Sequence, residues 1–101
     1  MSELLGLLGL GRRGRLVVIG VDAVRSELRH GAVRCVVLAE DASPRAVEKV
    51  VRLAAAKGVP LVPGPRADEL GARLGKPPVM AVGVRDRGLA EGILRSAPKR
   101  Q

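Results

Sequence analysis

Side chains able to do covalent or proton chemistry are scarce in this 101-residue chain, which has one His, one Cys, and neither Tyr nor Thr. Three aspartates stand out by position. Asp22, Asp41 and Asp86 each follow an apolar run with the character of a β-strand, and open α/β sheets place their sites beyond the carboxyl ends of their strands. On a parallel sheet the three would converge into a pocket for a magnesium ion or a phosphoacceptor. Local chemistry offers another reading. Asp22 and Asp86 sit where helices start, where aspartate serves as a cap, and Asp41 leads into a turn. His30 stands just before Gly31 at a helix end, where an imidazole meets the last carbonyls and the dipole. Cys35 lies inside "CVVLA" and reads as a buried strand thiol; a lone cysteine makes neither a disulfide nor a metal cluster. The inventory argues against an enzyme, and no cofactor or metal is expected.

Charge is the second chemistry. Lys and Arg number 18 against 10 Asp and Glu, a net charge of +8. An excess of that size on so small a domain points to a polyanion, nucleic acid before membrane, although a GC-rich or thermophilic genome also yields Arg-rich proteins. The absence of Phe, Tyr and Trp excludes modules that stack bases on aromatic platforms. In "VVIGVDAVRS", residues 17–26, an apolar run stops at Gly20 and a helix begins. Such a corner presents free backbone N–H groups, a ready site for an anion. Asp22, Arg25 or Ser26, and Arg29 recur at helical spacing, so they share a face opposite Val21, Val24 and Leu28. The densest basic cluster is Arg12, Arg13 and Arg15, within and beside "GRRG" at 11–14. It reads equally as a set of phosphate contacts or as a solvated helix-ending turn. Its GxxG shape is not that of a KH-domain clamp, because it joins a helix to a strand.

The elements that must position these groups are legible. Ser2 and Glu3 start a helix through roughly Leu10, broken by "GRRG"; "RLVVI" is a first strand, and the next helix stops at Gly31. "RCVVLA" is an unbroken apolar run of the sort buried on both faces. Ser43 then caps a helix with Pro44 at its first position, closed by Gly58. "VPLV", a helix over about 67–74 ended by Gly75, the stiff "KPP" loop, the strand "VMAVGV" and a helix capped by Asp86 complete the order. Alternating strands and helices predict an α/β sandwich with helices on both faces of a parallel or mixed sheet. A single domain over 1–97 is expected, with a basic tail at 98–101. "LLGLLGL" is too short to cross a bilayer and lacks the flanks of a leader, so a cytoplasmic protein is expected.

The stretches "GLGRRGRLVVIGVDAV", "RHGAVRCVVLAEDASP", "AAKGVPLV" and "ELGARLGKPPVMAVGV" together resemble the kink-turn-binding large-subunit ribosomal protein superfamily of the L-seven-Ae and L-thirty-e type. The likeness is strongest to its short bacterial members and covers roughly residues 4–95. It implies a three-layer αβα sandwich around a four-stranded mixed sheet and a non-enzymatic, ribosome- or regulation-associated protein, expected as a monomer. The partner would be structured RNA, bound by two neighbouring pieces. The first is the glycine corner and the first turns of its helix: Gly20, Val21, Asp22, Ala23 and Ser26, to which the helical spacing adds Arg25 and Arg29. The second is the loop Lys76, Pro77, Pro78 and Val79, which packs on an extruded base. The strongest binders of that type carry Thr-Asn-Glu after the glycine and a Lys four residues beyond the Asn. This chain has Val21, Asp22, Ala23 and Ser26 there, which leaves a protein-interaction module of the same fold as the alternative.

Overall fold

The structure, a computed structural model, describes residues 3–96. Ser2 and the basic tail at 98–101 lie outside the described residues. The element order is α1 (Glu3–Arg13), β1 (Val17–Ile19), α2 (Val21–Arg29), β2 (Cys35–Leu38), α3 (Pro44–Ala56), β3 (Leu61–Pro63), α4 (Ala67–Leu74), β4 (Ala81–Val84) and α5 (Arg87–Ser96). The strands form one four-stranded sheet in the order β1-β4-β2-β3. β2 and β3 are parallel, whereas β4 runs antiparallel to both β1 and β2.

Alternation along the strands divides the core between two helical layers. Cys35 and Val37 of β2, Val62 of β3, and Val82 and Val84 of β4 pack with Leu4, Leu8, Leu70, Leu74, Ala90 and Ile93 from α1, α4 and α5. On the other face Val36 and Ala81 meet Val24, Leu28, Val50 and Ala54 from α2 and α3. This is the expected three-layer αβα sandwich. β2 reads as a continuous apolar run because both of its faces are covered. Val24 and Leu28 are fully buried, as their helical spacing predicts, and truncating Leu28 to Ala should destabilise the domain by about 2–5 kcal/mol.

α1 runs three residues past its expected end at Leu10, taking in Gly11, Arg12 and Arg13. Glycine does not break the helix here because the tertiary contact requires it. A Cβ on Gly11 would stand 2.8 Å from Val17 Cγ1 and against Leu89, so the absent side chain lets α1 approach β1 and α5. The turn into β1 is made instead by Arg15, at φ 58°, with Leu16 N–H donating to the Gly11 carbonyl at 2.7 Å.

Candidate nucleic-acid interface

Gly20 forms the corner between β1 and α2 with φ 103° and ψ 152°, a region open essentially to glycine alone. Its N–H donates to the Ala81 carbonyl at 2.9 Å, and its own carbonyl accepts from Val24 N–H at 2.9 Å. The amides of Val21, Asp22 and Ala23 therefore open α2 without intrahelical partners, and no side chain caps them. Asp22 and Ser26 are exposed, while Val21 and Ala23 are half-buried. The positive end of the α2 dipole and its unused donors thus face solvent, modulated by the Asp22 carboxylate in the first turn.

The starts of α3, α4 and α5 are closed by this chain's own oxygens. Ser43 Oγ accepts from Ala46 N–H at 3.2 Å at the start of α3. Asp86 Oδ2 accepts from Leu89 N–H at 2.8 Å at the start of α5. α4 receives no cap from its preceding residue, Arg66; instead Asp41 Oδ1 accepts from Ala67 N–H at 2.7 Å. That bond, with the Arg66 guanidinium 3.4 Å from Asp41 Oδ2, holds the Asp41 carboxyl below its usual range.

The second expected piece lies against the first. Gly75 ends α4 in the left-handed region at φ 69°, and Lys76 N–H donates to the Gly71 carbonyl at 2.8 Å. The chain then doubles back along α4. A Cβ on Gly71 would fall on the Pro77 carbonyl and 2.8 Å from the Lys76 carbonyl, so the spacing of "LGARLG" is a packing requirement. Lys76, Pro77 and Pro78 are exposed. Val79 is not: it is 6% exposed within the core layer of α1, α4 and α5, and its N–H donates to the Ala67 carbonyl at 3.0 Å. Its side chain anchors the loop, where the sequence placed it on the contact surface. Met80, which the sequence did not single out, is 36% exposed. Its carbonyl accepts from Ala39 N–H at 2.7 Å, and it stands one residue before the Ala81 that bonds Gly20.

The three aspartates do not converge. β4 is antiparallel to β1, so Ile19 pairs with Val82 and Val17 with Val84, which sends Asp86 to the opposite end of the sheet from the Gly20 corner. Asp41 and Asp86 are each engaged by a helix amide, and among the described residues no group of three or more His, Cys, Asp and Glu could hold a metal ion. The basic cluster also divides. The Arg12 guanidinium lies 3.7 Å from the position of a Cβ on Gly75, beside the start of the loop. Arg13 is exposed at the end of α1. Arg15 is at the Asp86 end, where Arg85 N–H donates to the Leu16 carbonyl at 2.8 Å and Arg85 Nη1 to the Arg15 carbonyl at 3.4 Å. Arg25 and Arg29 line a groove between α2 and α3 with Lys49 and Arg52; the two α3 cations carried no signal in the sequence beyond their helical spacing. His30 Nδ1–H donates to the Ser26 carbonyl at 2.8 Å, closing α2 as expected, and burial pushes the Cys35 thiol up to about 11. Among the described residues no helix is long and apolar enough to cross a membrane.

An αβα sandwich with an open, glycine-led helix start bonded to the strand that follows a proline-stiffened loop belongs to the class of small ribosomal-protein-like domains. The profile of the Ribosomal protein L7Ae/L30e/S12e/Gadd45 family matches residues 3–93, and the chain belongs to that family. It is 36% identical over 88 residues to the RNA-binding protein YlxQ of Bacillus subtilis (strain 168), covering 87% of this chain and 88% of that protein. Its fold is similar to that of a protein of unknown function from Bacillus halodurans C, with a TM-score of 0.89, 26% identity, and coverage of 94% and 96% of the two chains. It is similar in fold also to the Giardia lamblia 15.5kD RNA binding protein, with a TM-score of 0.75 at 23% identity over 92% of this chain and 80% of that one.

Proposed function

We propose that this protein is a non-enzymatic RNA-binding protein that grips structured, sharply bent RNA of the kink-turn type, in a ribosome-associated or regulatory setting. The observation that carries the reading is the start of α2, left uncapped and hydrogen-bonded through Gly20 to the exit of the 76–80 loop. Family membership and the relative that is an RNA-binding protein by name support it, as does the net charge of +8.

In this reading the Val21, Asp22 and Ala23 amides meet backbone oxygens and purine edges at the bend. Ser26 lies on the same side of α2. Lys76, Pro77 and Pro78 receive an unstacked base against a surface whose rigidity lowers the ordering cost of binding. Met80 adds apolar surface between the two pieces. Asp22 accepts hydrogen bonds but cannot donate them while ionised, so its readout of a guanine edge differs from that of an amide side chain.

Filter binding of a kink-turn RNA and a straight duplex of equal length, over a salt series, tests the reading. A preference for the bent RNA that persists as salt rises is the expected result. Equal weak affinity for both, with only a salt slope, would sink specific recognition.

A further inference from the structure

α2 and α3 leave between them a groove of about 390 Å³ whose walls are cationic. Arg25 and Arg29 contribute from α2, Lys49 and Arg52 from α3, with Glu48 the one carboxylate and Leu53 among the apolar lining. Glu48 pairs with Arg52 at 3.3 Å, but both side chains are largely exposed, and pairs of that kind hold weakly. Arg25, Arg29 and Lys49 have no hydrogen-bond or ion-pair partner among the described residues. The Nε of Arg25 is shut off from solvent and finds no acceptor in the protein. Like charges one turn apart on α2 are unfavourable without a counter-charge, and Glu48 is the one carboxylate among the groove's lining residues.

We propose that this groove is a second RNA contact, in which phosphates of the strand leaving the Gly20 corner lie between α2 and α3. The proposal rests on the RNA-binding reading above and extends it from the α2 side of the corner to α3, where Lys49 and Arg52 stand. Its geometry suits a chain of charges better than one small anion. Arg25 and Arg29 are spaced about 6 Å along α2, and Lys49 and Arg52 about 4.5 Å along α3, so two cationic rows flank one channel. Arg25 follows Asp22 by three residues, which starts the channel about one turn from the corner. Its lining offers guanidinium and ammonium donors and no aromatic platform, which suits neutralising phosphate and positioning the strand.

The test is the double variant Lys49→Ala and Arg52→Ala, at a half-buried and an exposed position of α3, compared with Lys49→Arg and Arg52→Lys, which keep the charge. Binding of a kink-turn RNA and a straight duplex is followed by filter retention from low to moderate salt, with circular dichroism to verify the fold. Removal of the two cations should flatten the slope of log affinity against log salt by about 1.5–2 units. Affinity for both RNAs should fall together, about tenfold or more at low salt, leaving the bent-to-straight ratio unchanged, and the charge-keeping variant should match the wild type. An unchanged slope in a variant that still prefers bent RNA overturns the groove and leaves the corner reading intact; a groove built for an acidic protein segment would give that result. A flattened slope with no bent-RNA preference in the wild type supports the groove and sinks kink-turn recognition. Binding of neither RNA by the wild type overturns both.

Discussion

Helix starts around one sheet are treated in opposite ways. At one end the chain leaves β4 and Asp86 closes α5 within three residues through Leu89 N–H. At the other, β1 stops at Gly20 and α2 begins with no cap, although Asp41, at the carboxyl end of β2, is spent on α4 instead. The difference is not one of residue supply, because Asp22 sits in the first turn of α2 and is not positioned as its cap. Closed starts hold the domain together. The open one leaves its donors without a capping partner in the chain, next to the strand start that Gly20 bonds.

Within this comparison the largest effects should come from Gly20, which opens α2, and Gly71, which lets the loop pack on α4. Gly20→Ala forces a side chain into a backbone region nearly exclusive to glycine, at a stability loss of about 1–3 kcal/mol in urea unfolding. The same variant should lower affinity for bent RNA by about tenfold or more while barely changing straight-duplex binding. Gly71→Ala presses on the Lys76 and Pro77 carbonyls and should lose a similar 1–3 kcal/mol. A wild-type unfolding midpoint for it would mean that the loop does not depend on close approach to α4. At the closed start of α5, Asp86→Ala should destabilise by about 0.5–2 kcal/mol through loss of the cap, with RNA affinity unmoved. A drop in RNA binding by that variant at full folding would erase the contrast between the two starts.

Asp22→Asn should act the other way on binding. Removing a carboxylate from beside the open amides should tighten RNA binding by up to about fivefold at low salt, against a loss of dipole stabilisation of about 0.3–1 kcal/mol. The smallest effect at neutral pH is the titration of Asp41. Its carboxyl is held below the ordinary 3.8 first by the Ala67 N–H bond, with its own backbone and Arg66 adding to the same direction. A depressed carboxylate contributes stability that is complete above the ordinary value and lost as pH falls through the folded one. The gap in urea midpoint between the wild type and Asp41→Asn should therefore stay constant from pH 7 to about 5. Below the ordinary 3.8 it should narrow; a gap that closes between pH 7 and 5 would assign the stabilisation to another group.

Much of the fold was legible because it is written locally. Ser43 and Asp86 cap amides three residues away, Val24 and Leu28 repeat at helical spacing and are buried, and Gly75 ends α4 where glycine most easily turns the chain. The site was legible in part. Gly20 and the Lys76-Pro77-Pro78 loop could be placed by resemblance, whereas Val79 and Met80 exchange the roles that their chemistry alone suggests. Each is an apolar residue beside the loop, and only packing decides which faces the core.

By itself the sequence determined the order of helices and strands, the apolar faces, the local caps and the positive charge, since each depends on residues within a turn or two. Tertiary structure decided the rest. It ran β4 antiparallel and so parted Asp86 from Asp22 and Asp41. It carried Asp41 across 26 positions to cap Ala67, and it set Arg25 and Arg29 against Lys49 and Arg52. Strand direction and helix pairing are settled by burying both faces of the sheet at once, a condition on the whole chain that no short stretch of residues encodes.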